Sequence, residues 1–239
     1  MPRDATPRHA AHRQTEPRNA IACQFNDQEL VTTFPITMDT AEAPPRPLPS
    51  GVFADIPDRR ISHNTCSLYG YETARFRGQP AHLAHINNKR GSPSATQVRI
   101  IPKQFEWVNS PNRTQLFGQH LGCGGHLIIT EGAIDAMSIH EAYAKPRSGV
   151  VVSITSEVHD CIDNIKTNLL YVGEFDRVTV FFDSDYSGKH WALQVAKLIG
   201  RKACVVVNFG YKDANEAWVA FDGEAIQDAI DKAVTSPFW

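Results

Sequence analysis

From residue 126 onward the apolar positions switch repeatedly between two periods. The compact β-branched runs "HLIIT", "GVVVSI", "RVTVFF" and "ACVVV" have the length and composition of buried strands. Between them, helical spacing of apolar residues predicts helices over about 134–144, 156–170 and 188–199, and a last helix near 224–234. Short buried strands alternating with helices predict a parallel sheet linked by crossover helices. Upstream, "AHLAHI" and "TQVRII" are short apolar runs around a turn at "KRGSPS", and Ser62 reads as a helix N-cap, which predicts a small α+β unit. Residues 1–50 show no sustained period and include the proline-rich "TAEAPPRPLPSG", so they read as a flexible arm or linker. The expected organisation is therefore an arm over 1–50, an α+β unit over 51–125 and a parallel-sheet domain over 126–239, with "GCGG" at the break.

Composition adds one asymmetry. The net charge of -2 over 239 residues conceals nine Lys+Arg against four Asp+Glu in 51–125, and ten against sixteen in 126–239. A basic unit is joined to an acidic one. The five cysteines are scattered without a C-x-x-C pair, which argues against a disulfide framework and a zinc ribbon. The start "MPRDATPRHAAHRQTEPR" lacks the apolar core of a secretory signal, and no apolar stretch has bilayer-spanning length, so an intracellular protein without membrane contact is expected.

The acids sit where a parallel sheet presents ligands, at the carboxyl ends of strands. "LIITEG" delivers Glu131, "VFFDSD" delivers Asp183 and Asp185, and the loop after "CVVVNFGY" delivers Asp213; Asp135 lies four residues after Glu131. A lone aspartate after a strand ordinarily caps a helix or closes a turn. Acids at three successive strand ends go beyond that need, and like charges held together call for a cation. Hard carboxylate oxygens suit magnesium or manganese, and no zinc is expected in this chain.

These residues carry a resemblance. "NRTQLFGQHLGCGGHLIITEGAIDAMSI", "FFDSDYSGKHWA", "KDANEAW" and "RRISHNTCSLYGY" resemble, in order and spacing, the primase half of the primase-helicases of T-seven-like phages, over roughly 58–239. That half is built on the TOPRIM fold, a Rossmann-like parallel sheet with flanking helices. The resemblance implies a DNA primase that joins NTPs into an RNA primer on single-stranded DNA. It implies Glu131, Asp183 and Asp185 as metal-binding catalytic acids and Asp135 and Asp213 as accessory acids. Lys103 is implied as a catalytic, phosphate-binding lysine, with Arg99, Lys189 and Lys212 as further nucleotide or DNA contacts. Either His82 or His85 lies near the cleft on this reading, with a neutral structural role preferred. A replicative helicase and a zinc-ribbon template-recognition module are the implied partners, and a phage origin is implied.

The sequence also departs from that family. Gln97 stands where the phage enzymes tend to have a second catalytic lysine, and "SITSEV" replaces a glycine-containing loop. No four-cysteine ribbon precedes the catalytic unit, and the chain stops at "VTSPFW", about where the family's helicase linker begins. Two alternatives stay open: a weakened module that binds single-stranded DNA or a helicase, and a TOPRIM nuclease using the same acids. Among the aromatics of the basic unit, Tyr69, Tyr71, Phe76, Phe105, Trp107 and Phe117, most are expected in the core.

Overall fold

The computed structural model describes residues 45–88, 91–102, 104–109, 115–144 and 149–235. The first sheet is an antiparallel meander of β1 (Tyr71–Phe76), β2 (Gln79–Asn87), β3 (Pro93–Ile100) and β4 (Gln104–Val108), in that spatial order. Arg77 and Gly78 join β1 to β2 with positive φ angles of 49° and 81°, the two-residue turn that matches strand twist. Alternation gives the sheet two apolar faces. Ala81, Leu83, Val98 and Ile100 form a core of their own, while Ala84, Ile86 and Ala95 point towards α1 (His63–Tyr69) and the second sheet. Ser62 caps α1 as expected, accepting the Thr65 N–H. The expected arm falls mostly on residues 1–44, outside the described residues. Its last stretch is not free: Arg46 exchanges two 2.9 Å backbone hydrogen bonds with the Asn109 side chain, and Leu48 packs on the small core.

The second sheet has the order β6-β5-β7-β8-β9, built from β5 (His126–Thr130), β6 (Val150–Ser153), β7 (Arg177–Phe181), β8 (Ala203–Val205) and β9 (Val234–Thr235). The first four are parallel; β9 is antiparallel. Period-two burial splits the strands between two layers. Ile128, Val151 and Phe181 meet α2 (Ala133–Ile139) on one face, and Leu127, Ile129, Val178 and Val180 meet α3 (Cys161–Thr167), α4 (Leu169–Gly173) and α5 (Tyr186–Ile199) on the other. Two short helices, α6 (Ala214–Val219) and α7 (Gly223–Asp231), join the α2 layer.

Two expectations change. The helix expected over 156–170 is broken at Asn168, whose side-chain amide donates to the Asn164 carbonyl at 2.8 Å and ends α3. The last helix stops at Asp231, and Val234–Thr235 returns to the sheet. Cys66, Cys161 and Cys204 are free.

Adjacent strands β5 and β7 send their following helices to opposite faces. The crevice between their carboxyl ends is therefore the topological switch point, where open parallel sheets bind ligands.

Candidate active site

Glu131 stands just past β5, and Asp183 just past β7. A Glu131 Oε1 oxygen accepts the Asp183 backbone N–H at 3.1 Å, so the two strand ends are tied together. The approach demands glycine at 188: a Cβ there would lie 2.2 Å from the Asp183 carbonyl oxygen and 2.7 Å from Glu131 Oε1. Burial, then the Asp183 and Asp185 charges, pushes Glu131 up to about 7. Asp135 rises to about 7 as well, through burial and then the Asp213 and Asp183 charges, against the Asn215 N–H that donates to its Oδ1 at 3.1 Å. Burial also raises Asp183, and Lys212 opposes it.

Two of the acids also serve as caps. Asp185 Oδ1 accepts the Gly188 N–H at 2.8 Å at the start of α5, and Asp213 Oδ1 accepts the Glu216 N–H at 2.8 Å at the start of α6. Each keeps a second oxygen. Lys212 Nζ sits 3.0 Å from Asp213 Oδ2 and 3.6 Å from Asp183 Oδ2. The hydrogen bond to Asp213 raises the Lys212 ammonium above its usual range.

The acids form one wall of a cleft of about 500 Å³. The antiparallel sheet supplies the opposite wall: Gln97 and Arg99 project from β3 on the face that β4 extends with Trp107 and Phe105, their cross-strand partners. The Arg99 guanidinium lies 5.8 Å from the Phe105 ring centre, and Phe105 is half exposed to the cleft. Arg59 completes this side. Along the third side runs the loop after β6, where Ser156 Oγ is buried and has no hydrogen-bond partner among the described residues.

Of the residues singled out by sequence, Glu131, Asp135, Asp183, Asp213, Lys212 and Arg99 line this cleft. Asp185 is exposed beside it, and Lys189 lies on the solvent side of α5. Lys103 lies outside the described residues. Neither histidine lines the cleft: His82 bonds to the Tyr71 hydroxyl at 3.0 Å and is pushed towards neutrality by burial and then by Arg99, while His85 is enclosed by Thr96 and Glu72. Sequence reasoning passed over Arg59, Ser156 and Asn215. Asn215 accepts from Arg59 Nη1 at 3.0 Å and donates to the Arg59 carbonyl at 3.0 Å and to Ser138 Oγ at 2.9 Å. Only the "KDAN" motif marked it.

The donors are carboxylate oxygens throughout, a set suited to a hard divalent cation. Among the described residues no three His, Cys, Asp or Glu side chains close into a finished cage. Instead, Lys212 bridges Asp183 and Asp213. The donor chemistry fits a divalent metal; in the present arrangement Lys212 offsets part of the charge of Asp183 and Asp213.

Residues 128–218, from β5 to α6, match the family described as Toprim-like. The fold of this part of the chain is Toprim-like. With the sheet before it, this region is similar, at 28% identity over 182 residues, to the DNA helicase/primase of Enterobacteria phage T3, covering 76% of this chain. It spans 32% of that relative's length. Among solved structures, a chain from the bacteriophage T7 lagging-strand DNA polymerase with primase domains, an RNA/DNA hybrid and dTTP is similar with a TM-score of 0.71 at 27% identity, over 77% of this chain and 93% of that one. The primase fragment of the bacteriophage T7 primase-helicase gives a TM-score of 0.69 at 28% identity over 74% of each. The expected architecture, a Toprim-like parallel sheet preceded by a small α+β unit, is the one observed. No helix among the described residues is long and apolar enough to cross a membrane.

Proposed function

We propose that this chain is the RNA-polymerising part of a DNA primase, joining NTPs into a primer on single-stranded DNA. The observation that carries the reading is the opposition of two walls: acids gathered at the β5–β7 switch point face the guanidinium groups of Arg59 and Arg99 across one cleft. Similarity to phage primase domains supports it. The units divide near 125, one wall from each.

The reaction is attack of a ribonucleotide 3′-hydroxyl on the α-phosphate of the next, with pyrophosphate leaving. Divalent metal is general among Toprim-type primases, and magnesium or manganese would supply charge to the phosphate oxygens. Glu131, Asp183 and Asp185 would hold it, with Asp135 and Asp213 beside them. Arg99, Lys212 and Lys103 neutralise the triphosphate, and Phe105 offers a face for a base. Template held through its phosphates is released by salt. A replicative helicase and a zinc-ribbon module would act with this intracellular, phage-type enzyme.

Gln97 favours a second reading: a neutral amide in the cleft wall in place of a lysine suits a weakened, DNA-binding module. A primer-synthesis assay with single-stranded template, NTPs and magnesium or manganese separates them. Labelled oligoribonucleotides made by the native chain should vanish in Asp183→Ala and Asp185→Ala. Shortened template would mean a nuclease, and DNA binding without product would mean the weakened module.

A further inference from the structure

Lys212 holds two of the cleft's carboxylates in an unusual way. Its ammonium touches Asp183 at 3.6 Å and Asp213 at 3.0 Å, yet its side chain is 65% exposed against 23% and 21% for the two aspartates. Packing does not fix the stem. The backbone is anchored separately, since the Lys212 N–H donates to Glu216 Oε2 at 2.6 Å and its carbonyl accepts the Ser184 N–H at 2.7 Å. The side chain can therefore swing while the loop, and with it Asp213, stays in place.

We infer that Lys212 is a displaceable internal counter-ion, competing with a divalent cation for Asp183 and Asp213 and moving to the substrate's phosphates when the cation takes them. The inference rests on the metal-site reading above. An exposed ammonium paired with two acids is held weakly, so a doubly charged ion outcompetes it. Once released, the ammonium remains in the cleft beside Arg59 and Arg99, where an entering triphosphate offers it a new counter-charge. Lys212 thus neutralises the acids before binding and the phosphates afterwards. Its role is to keep the cleft's charge balanced.

Manganese titration of the full chain, followed by the electron paramagnetic resonance of the free ion, tests this without any turnover. Lys212→Gln should bind manganese roughly three- to fivefold tighter than the native chain. Lys212→Arg, which keeps the competing charge, should stay near native affinity. Lys189→Gln removes a charge from exposed α5 and should tighten binding less. In primer synthesis at saturating metal, Lys212→Gln should require more NTP for half-maximal rate. Native or weaker affinity in Lys212→Gln, or equal tightening in Lys189→Gln, would overturn the inference alone. Undiminished manganese binding in Asp183→Asn would overturn the metal site and the inference together.

Discussion

Asp135 and Glu131 are acids whose neighbours are acids, and both are raised from their ordinary values of 3.8 and 4.5 to about 7. The folded chain therefore binds protons that the unfolded chain has released between about pH 4 and 7, and the associated stability is lost as pH rises through that window. Half-buried His126, lowered from 6.5 to about 4 by burial and then Arg177, acts in the opposite sense between those two values. The informative quantity is thus a difference. Asp135→Asn, which can still accept the Asn215 N–H, should gain stability over the native chain as pH goes from 5.5 to 8, on the order of 2 kcal/mol after screening. Thermal melts in chelator would show it; a gain independent of pH would refute the assignment. Ser156 makes the complementary case. A buried hydroxyl without a partner costs about 1 kcal/mol or more, so Ser156→Ala should raise the urea midpoint while raising the KM for NTP. Lower stability would mean that the hydroxyl is already satisfied.

Gly188 shows how one element sets the site. It opens α5 so close to the β7 end that a methyl group would meet the Asp183 carbonyl and the Glu131 carboxylate together. Gly188→Ala should cost about 2–3 kcal/mol in urea unfolding and abolish primer synthesis, because relief of the clash parts the two strand ends. Unchanged stability would show that the turn is softer than this packing implies. At this scale the sequence was readable where local pattern decides the outcome. The four parallel strands, α5 and the acids at the strand ends followed from period and position. β1 and β4 did not: Glu72 and Arg75 break the alternation of β1, and β4 alternates for only five residues. α6 was missed although Asp213 and Glu216 begin it, with the Asp213 carboxylate on the Glu216 N–H. The capping of Asp185 and Asp213 was legible only as an alternative to metal binding. The structure shows one oxygen of each serving as a cap. The Arg59–Asn215 pair joins residues 156 apart in sequence, and no local signal encodes such a contact.

Across the whole molecule, the two sheets share a core. Tyr69, Tyr71 and Phe117 pack with Ile128, Met137 and Val151, and the Tyr69 hydroxyl donates to the Val151 carbonyl at 3.1 Å. Polar contacts surround this seam. Glu141 receives the hydroxyls of Ser62 and Thr65 at 2.5 and 2.6 Å, and the Arg60 guanidinium stacks 4.6 Å from the Trp218 ring and 3.5 Å from that of Phe221. A seam that is apolar at its centre and bonded at its rim couples the stability of its two sides. The cleft walls are consequently fixed relative to one another by the fold, and substrate has to fit a set spacing between acids and guanidinium groups. A fragment of residues 126–239 would leave Ile128, Met137 and Val151 without the aromatic cover that buries them now. Expressed alone, it should lack a cooperative thermal transition by near-ultraviolet circular dichroism and bind a hydrophobic dye. The chain from residue 45 should melt in one step, with both sheets lost together. A sharp, native-like melt of the fragment would show instead that the parallel sheet is autonomous, and the opposing wall would then be free to move against it.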